Sequence, residues 1–454
     1  MRAIFVRNSI GKLFRAKVDQ SFGAEMSYLD ETRPPLEDDV VRYYGQYVAL
    51  AVADTFEQAS AAADAVKVTY REQKPNVERR LPSETNPKVE SERGDAAKAF
   101  EAAEIQVDQT YDLPPATHNP IELHASVAVW DGSAFTLYET TQGVVNHRNV
   151  LAEMLGVPKE NVRVVSKFLG SGFGNKLFPW TQSALAAAAA RQLGKPVKFV
   201  VSRRMMFQSV GHRPRVTQRI QLSATRDGKL TSLRQDWVNH TSILDDYKEN
   251  CGEATPFMYS VPNLRVTSAL ARRHVGTPTA MRGPGAVPGL WATESAMDEL
   301  ALKLKMDPVQ LRLVNEPKID EGLKIPFSSR HLEECLSTGA QKFGWSKRNP
   351  RVGSMKRDGL TLGWGMAGCS RLAERFAFVA NVELRDDGTA RVSSATQDIG
   401  TGTYTILALL ASERLGLPID KIEVVLGDTQ LPPGPISGGS MVTASAVPAV
   451  MEAA

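Results

Sequence analysis

Two stretches of this 454-residue chain repeat one order of elements. The first runs through Asp131-Gly132, Thr141-Gln142, a helical stretch, Leu155-Gly-Val-Pro158 and the pair Val164-Val165. The second runs through Asp387-Gly388, Thr396-Gln397, a helical stretch, Leu415-Gly-Leu-Pro418 and Val424-Val425. The same nine-residue offset separates the leucine from the first valine in both. One shared LGxP turn arises readily by chance, but hairpin, helix, turn and strand in the same order imply two related halves. Each copy continues into a Gly-rich loop, Gly170-Ser-Gly-Phe-Gly-Asn-Lys176 in the first and Gly434 followed by Ser437-Gly-Gly-Ser440 in the second. Equivalent loops at the ends of equivalent strands can face one another across a cleft and offer backbone N–H groups to a shared anionic ligand.

Asp-Gly pairs at 131–132, 227–228 and 387–388 sit between alternating strand-like segments, and Gly tolerates the positive φ of a tight hairpin turn. Helical patterns over 144–155, 181–193, 291–304 and 404–415 punctuate these hairpins. Locally antiparallel sheet with interspersed helices predicts an α+β class rather than a doubly wound α/β fold. Nearer the N-terminus, a strand over 47–52, a helix reaching 66 with Asp54 as cap and Glu57 three residues on, and a strand over 68–70 form one unit. The stretch 72–103 turns polar and carries Pro75, Pro82 and Pro87, as suits a surface linker. The expected organisation is a unit over 1–75, a linker over 76–103, and larger units over 104–345 and 346–454, since single cores rarely grow to this length.

A net charge of +3 is too small to signal nucleic-acid binding, which needs clustered Lys and Arg. Cys251, Cys335 and Cys369 lie far apart without CxxC spacing, so they build neither a disulfide framework nor an iron-sulfur or zinc site. Any thiolate-bound redox centre belongs on another chain. The N-terminal residues lack the sustained apolar run of a signal peptide, and the expected location is cytoplasmic, or periplasmic through an export signal on a partner. The apolar run 184–190 is stopped by Arg191, far short of the roughly 20 residues that span a bilayer, and reads as a buried helix.

The loop 170–176 fails both common nucleotide patterns. Its third Gly comes one residue early for a dinucleotide fingerprint, and Leu177 rather than Ser or Thr follows Lys176. A second irregular loop, Thr279 to Gly289, sets Arg282 among Gly, Pro and Ala in front of an apolar helix, which points the guanidinium at a pocket near a helix N-terminus. His118 and His124 flank Glu122 without the spacing of a helical zinc site, so structural roles are expected of them. No nucleophile elbow supports hydrolase chemistry.

These loops resemble those of the xanthine dehydrogenase/aldehyde oxidase family. Gly170 to Lys176 is similar to its GGGFGGK loop, Ala280-Met-Arg-Gly-Pro-Gly285 to its A-[FMY]-R-G/A-x-G loop, and Asp398-Ile-Gly-Thr-Gly402 to its E-M-G-Q-G loop. Tyr44 to Ala53 resembles the end of the family's hammerhead domain, and Pro120-Ile-Glu-Leu-His124 its M-E-P-H segment. Five ordered motifs resemble most closely the molybdenum subunit of bacterial three-subunit aldehyde oxidoreductases. The resemblance implies a shortened hammerhead domain followed by two molybdopterin-binding domains, the second incomplete.

It further implies a molybdenum–pterin cofactor with no protein side chain on the metal, its cytosine nucleotide left open, and Fe-S and FAD sites on partner subunits. By motif position Gln142, Phe173 and Arg282 lie at the metal centre, with Gly172 and Gly174 beside Phe173. Gly400, Thr401 and Gly402 run along the pterin, and Gly438, Gly439, Ser440 and Thr443 match the phosphate-contacting loop. Leu177 stands where purine-oxidising members carry Glu, which favours an aldehyde over xanthine, with an aromatic N-heterocycle as the further candidate. Arg371 matches a pocket-side arginine suited to a substrate carboxylate or else lies on the surface. No residue matches the family's C-terminal general-base glutamate, so the expectation is a split subunit completed by another chain, or a non-catalytic fragment or assembly partner.

Overall fold

The computed structural model describes residues 1–19, 23–372 and 374–454. At the N-terminus β1 (Ala3–Phe5) pairs antiparallel with β2 (Leu50–Val52), and α1 (Phe56–Asp64) packs beside them. Thr55 rather than Asp54 caps α1, accepting the Gln58 N–H at 3.2 Å, because Asp54 turns instead to the Arg2 guanidinium at 2.6 Å. The strand expected over 68–70 does not form, since nothing pairs with it. The polar stretch 76–103 is also more structured than its composition suggests, because it carries β3 (Lys88–Arg93) and α2 (Ala96–Ala102).

After β4 (Ile105–Leu113), the first copy of the repeat forms β5 (Ala125–Trp130), β6 (Phe135–Glu139), α3 (Val144–Leu155) and β7 (Val162–Val165). Then α4 (Thr181–Leu193) and β8 (Val197–Val200) complete a four-stranded sheet of order β7-β6-β5-β8. Residues 184–190 of α4 are wholly buried alanines and a leucine, whose small side chains let the helix lie close against β5. Enlarging Ala187 to Leu there would overpack the core by about 1–3 kcal/mol.

The next strands are β9 (Val216–Ala224) and β10 (Leu230–Ser242), then α5 (Thr255–Met258) and β11 (Leu264–Arg273). They join the earlier β3 and β4 in a sheet of order β3-β11-β10-β9-β4, with β10 and β11 parallel. Across this sheet lies α6 (Ala286–Leu304), burying Leu290, Met297 and Leu300 against Ile220, Leu222 and Val266 in one cluster. It starts before Trp291 because Pro288 and Gly289 fall in its first turns, where Pro lacks only an N–H without an intrahelical acceptor. Two further helices, α7 (Pro308–Val314) and α8 (Leu332–Phe343), and the small hairpin of β12 (Lys356–Arg357) and β13 (Leu360–Thr361) lead to the second copy.

That copy forms β14 (Asn381–Leu384), β15 (Ala390–Ser394), α9 (Thr403–Leu415) and β16 (Ile422–Leu426), followed by α10 (Val442–Ala453). In both copies a hairpin is followed by a helix and a strand parallel to the second hairpin strand. Both helices end on a left-handed glycine, Gly156 and Gly416, each at φ 68°. The copies are joined where β7 and β16 end: Ser166 N–H donates to Gly427 O at 2.7 Å, Thr429 N–H to Val164 O at 3.1 Å, and Arg163 pairs with Asp428 at 2.5 Å. A Cβ on Gly427, at φ 74°, would stand 2.0 Å from Ser166 O, so the junction admits only glycine.

Candidate cofactor cleft

This junction leaves a cleft of about 630 Å³ between the two glycine loops, and six separate stretches of the chain line it. From the first copy come Gln142, Gly172, Phe173, Gly174 and Leu177; from the second, Gly400, Thr401, Gly438, Gly439, Ser440 and Thr443; from the intervening segments, Arg282 and Arg371. The sequence-derived candidates thus converge, with one exception. Gly402 lies just outside the lining and caps α9 at φ 86°.

Gln142 is 2% exposed and joins the loops of the two copies. Its Oε1 accepts the Gly174 N–H at 3.0 Å, and its Nε2 donates to Ser437 O at 2.8 Å. The approach is close enough that a Cβ on Gly172 would stand 2.3 Å from Gln142 Oε1. Gly174, at φ 102°, lies equally near the Arg282 loop, and a Cβ there would meet Ala280 O at 2.2 Å. Phe173 O accepts the Arg282 N–H at 2.9 Å. Ser171, Phe173 and Ser440 are non-glycine residues at φ 73°, 59° and 60°, and backbone strain of this kind collects at sites that the surrounding structure over-determines.

The cleft-lining loops lead into three helices: residues 280–284 precede α6, 399–401 precede α9 and 437–441 precede α10. Each presents the positive end of a helix dipole. Two are met by carboxylates of the chain itself. Glu249 accepts the Gly285 N–H at 2.6 Å, and Asp398 accepts those of Gly400 and Thr401 at 2.7 and 3.1 Å. The first turn of α10, Val442 and Thr443, lines the cleft, with N–H groups that have no acceptor within the helix.

Lys176 points away from the cleft. It is 1% exposed and paired with Glu122 at 2.7 Å; burial pushes its pKa down and the Glu122 partner opposes this. The loop therefore does not use its lysine as a phosphate-binding loop would. His118 and His124 turn to backbone carbonyls, at Ala280 O (2.9 Å) and Asn175 O (3.2 Å), and burial pushes them down to about 4 and about 3. As neutral rings they brace the glycine loop from behind. Asn175 serves the same end, donating to Gly211 O at 2.8 Å.

Comparison with known proteins agrees with this architecture. Residues 78–316 and 338–454 match molybdopterin cofactor-binding domains, and residues 16–74 match the a/b hammerhead domain of aldehyde oxidase and xanthine dehydrogenase. The chain belongs to the aldehyde oxidase and xanthine dehydrogenase family. It is 39% identical to the aldehyde oxidoreductase molybdenum-binding subunit PaoC of Escherichia coli K12, over 88% of this chain and 55% of that protein. It is 28% identical to the xanthine dehydrogenase molybdenum-binding subunit of Escherichia coli O157:H7, over 91% and 58%. The chain thus spans little more than half the length of these family members. In fold it is similar to the aldehyde oxidoreductase of Desulfovibrio gigas (TM-score 0.81, 23% identity, 99% of this chain and 53% of that one). It is also similar to the quinoline 2-oxidoreductase of Pseudomonas putida 86 (TM-score 0.84, 20% identity, 99% and 62%). Among the described residues, no helix is long and apolar enough to cross a membrane.

Sequence reasoning missed Arg213 and Glu249 and, though it read Asp398 as part of a motif, gave it no role; all three hold the cleft loops in place. Arg213 and Glu249 lie far in sequence from the loop they contact and form no motif with it. Asp398 was legible, since an Asp just before a Gly-rich turn into a helix is a capping signal.

Proposed function

We propose that this chain holds a molybdenum–pterin cofactor in the cleft and serves the hydroxylation of an aldehyde with water-derived oxygen, its electrons leaving for Fe-S and FAD sites on other subunits. The convergence of both glycine loops, the Arg282 loop and the α10 N-terminus on one cleft carries this reading. The residues fit such a group. A Cβ on Gly400 would meet nothing within 4 Å, which leaves open surface for a flat ring system, and the first turn of α10 supplies N–H donors for a phosphate. When bound, the cofactor supplies the oxidation and oxygen-transfer chemistry.

The chain's own residues then position and select. Gln142 has one amide hydrogen left after its bond to Ser437 and can donate it into the cleft. Phe173, Leu177, Met281, Ile399 and Met441 line the cleft with apolar surface that excludes water and suits the carbon skeleton of an aldehyde. Leu177 offers no hydrogen bond to a purine. Arg282 and Arg371 bring positive charge, and Arg371, 3.8 Å from Glu253, is placed to orient a carboxylate-bearing substrate. None of the described residues lining the cleft is Asp or Glu, so this lining offers no carboxylate base of its own.

Overall, RCHO and water give RCOOH, two protons and two electrons. The test is turnover of aldehydes in ¹⁸O-labelled water by the chain purified with its natural partner subunits and an electron-accepting dye. At least one labelled oxygen in the carboxylate is expected, because the aldehyde's own oxygen also exchanges with water through its hydrate. Oxidation of xanthine but of no aldehyde would contradict the substrate class.

A further inference from the structure

Behind the loop that carries Arg282, two buried groups of opposite charge hold its two ends. One Nη of Arg213, a residue 6% exposed, donates to both Met281 O and Arg282 O at 2.7 Å. Glu249, wholly buried, accepts the Gly285 N–H at 2.6 Å on one oxygen and the Tyr247 hydroxyl at 3.1 Å on the other. The two charges face each other with Arg213 Nε 4.0 Å from Glu249 Oε1, and that Nε makes no hydrogen bond. Burying two charges is expensive unless their remaining donors and acceptors are satisfied. Here the backbone of one short loop satisfies most of them.

The carbonyls that Arg213 holds and the N–H that Glu249 holds bracket Gly283 and Pro284, both in the cleft lining, and Gly285 is left-handed at φ 70°. A Cβ on Gly285 would stand 2.2 Å from Asn250 O, so the segment carrying Glu249 and this loop are in direct backbone contact. On its other side the loop is tied to the first glycine loop through the Arg282 N–H.

Resting on the cofactor reading above, we propose that Arg213 and Glu249 are positioning residues that set the Arg282 loop at the height at which it meets the cofactor. Neither touches the cleft; both act through backbone atoms of residues 281–285. Groups that orient a metal site from behind change its affinity by about 10–100-fold when removed.

The test uses the protein purified with its natural partner subunits and reads molybdenum content together with amide hydrogen exchange. Glu249→Ala is expected to lower molybdenum content about tenfold and to raise exchange at Gly285, while Glu249→Gln, which keeps an oxygen acceptor, restores most of both. Arg213→Lys keeps the charge but not the fork, and is expected to raise exchange at Arg282 about tenfold with little change in melting temperature. Wild-type exchange at Arg282 in Arg213→Lys and at Gly285 in Glu249→Ala, with Glu249→Ala also loading molybdenum normally, overturns the proposal. Equal losses in Glu249→Ala and Glu249→Gln overturn it too, because the acceptor would then not be what matters. Wild-type protein lacking molybdenum contradicts the cofactor reading instead, and leaves the clamp measurable through exchange.

Discussion

Gln142 Nε2 lies 2.8 Å from the carbonyl oxygen of Ser437, a side chain of the first repeat copy bonded to the backbone of the second. The same amide accepts from Gly174, so one buried residue holds the two glycine loops at a fixed separation. Gln142→Leu removes both bonds and strands the Ser437 carbonyl and the Gly174 N–H, at about 1–3 kcal/mol for each buried group left unsatisfied. Chemical denaturation should show that loss; an unchanged midpoint would mean that the loops are held by other contacts.

Gly132 and Gly174 separate strain from crowding. Both have positive φ, 104° and 102°, but a Cβ on Gly132 meets nothing within 4 Å, while one on Gly174 meets Ala280 O at 2.2 Å. Gly132→Ala carries only the backbone penalty of about 1–2 kcal/mol. Gly174→Ala adds a backbone collision between the first glycine loop and the Arg282 loop, so it should lose more stability and release cofactor as well. Equal effects on stability and on molybdenum content would refute this.

Much of this was legible because the repeat is written in short-range chemistry. The Asp-Gly turns, the helices over 144–155 and 181–193 and the Gly156 and Gly416 caps all depend on residues within a few positions of one another. The misses depend on distant partners. Residues 88–93 look like a polar linker, yet they form a strand because β11 offers an edge, and residues 68–70 look like a strand but have no edge to join. Arg213 and Glu249 become partners of the cleft loop only once the five-stranded sheet is folded.

Glu139 offers a pH test. Burial pushes its carboxyl up to about 8, while the hydroxyls of Ser126 and Ser183 hydrogen-bond it at 2.7 and 3.1 Å. Between its ordinary value of 4.5 and about 8, the folded chain keeps a proton that the unfolded chain has lost, so its contribution to stability falls as pH rises through that window. Glu139→Gln cannot titrate. The stability of this variant relative to wild type should climb from pH 5 to about pH 8, and a flat difference would refute the assignment.

Arg312 and Glu294 form a second buried ion pair at 2.8 Å, with Asp298 at 2.9 Å from the guanidinium. Glu294 also accepts the Gly368 N–H at 2.6 Å, which anchors the segment leading to Arg371. Glu294→Ala leaves a buried guanidinium without its main partner and should destabilise the fold by about 3–5 kcal/mol. Calorimetry checks this, and a loss below about 1 kcal/mol would place the pair among surface-like bridges.

The molybdenum and pterin content of the chain purified with its natural partners, compared between wild type and Gly174→Ala, is the decisive measurement for the cofactor cleft. Stoichiometric molybdenum with pterin is expected in the wild type and a large loss in the variant. Protein that is folded and complete with its partners but carries neither molybdenum nor pterin would contradict the cofactor reading.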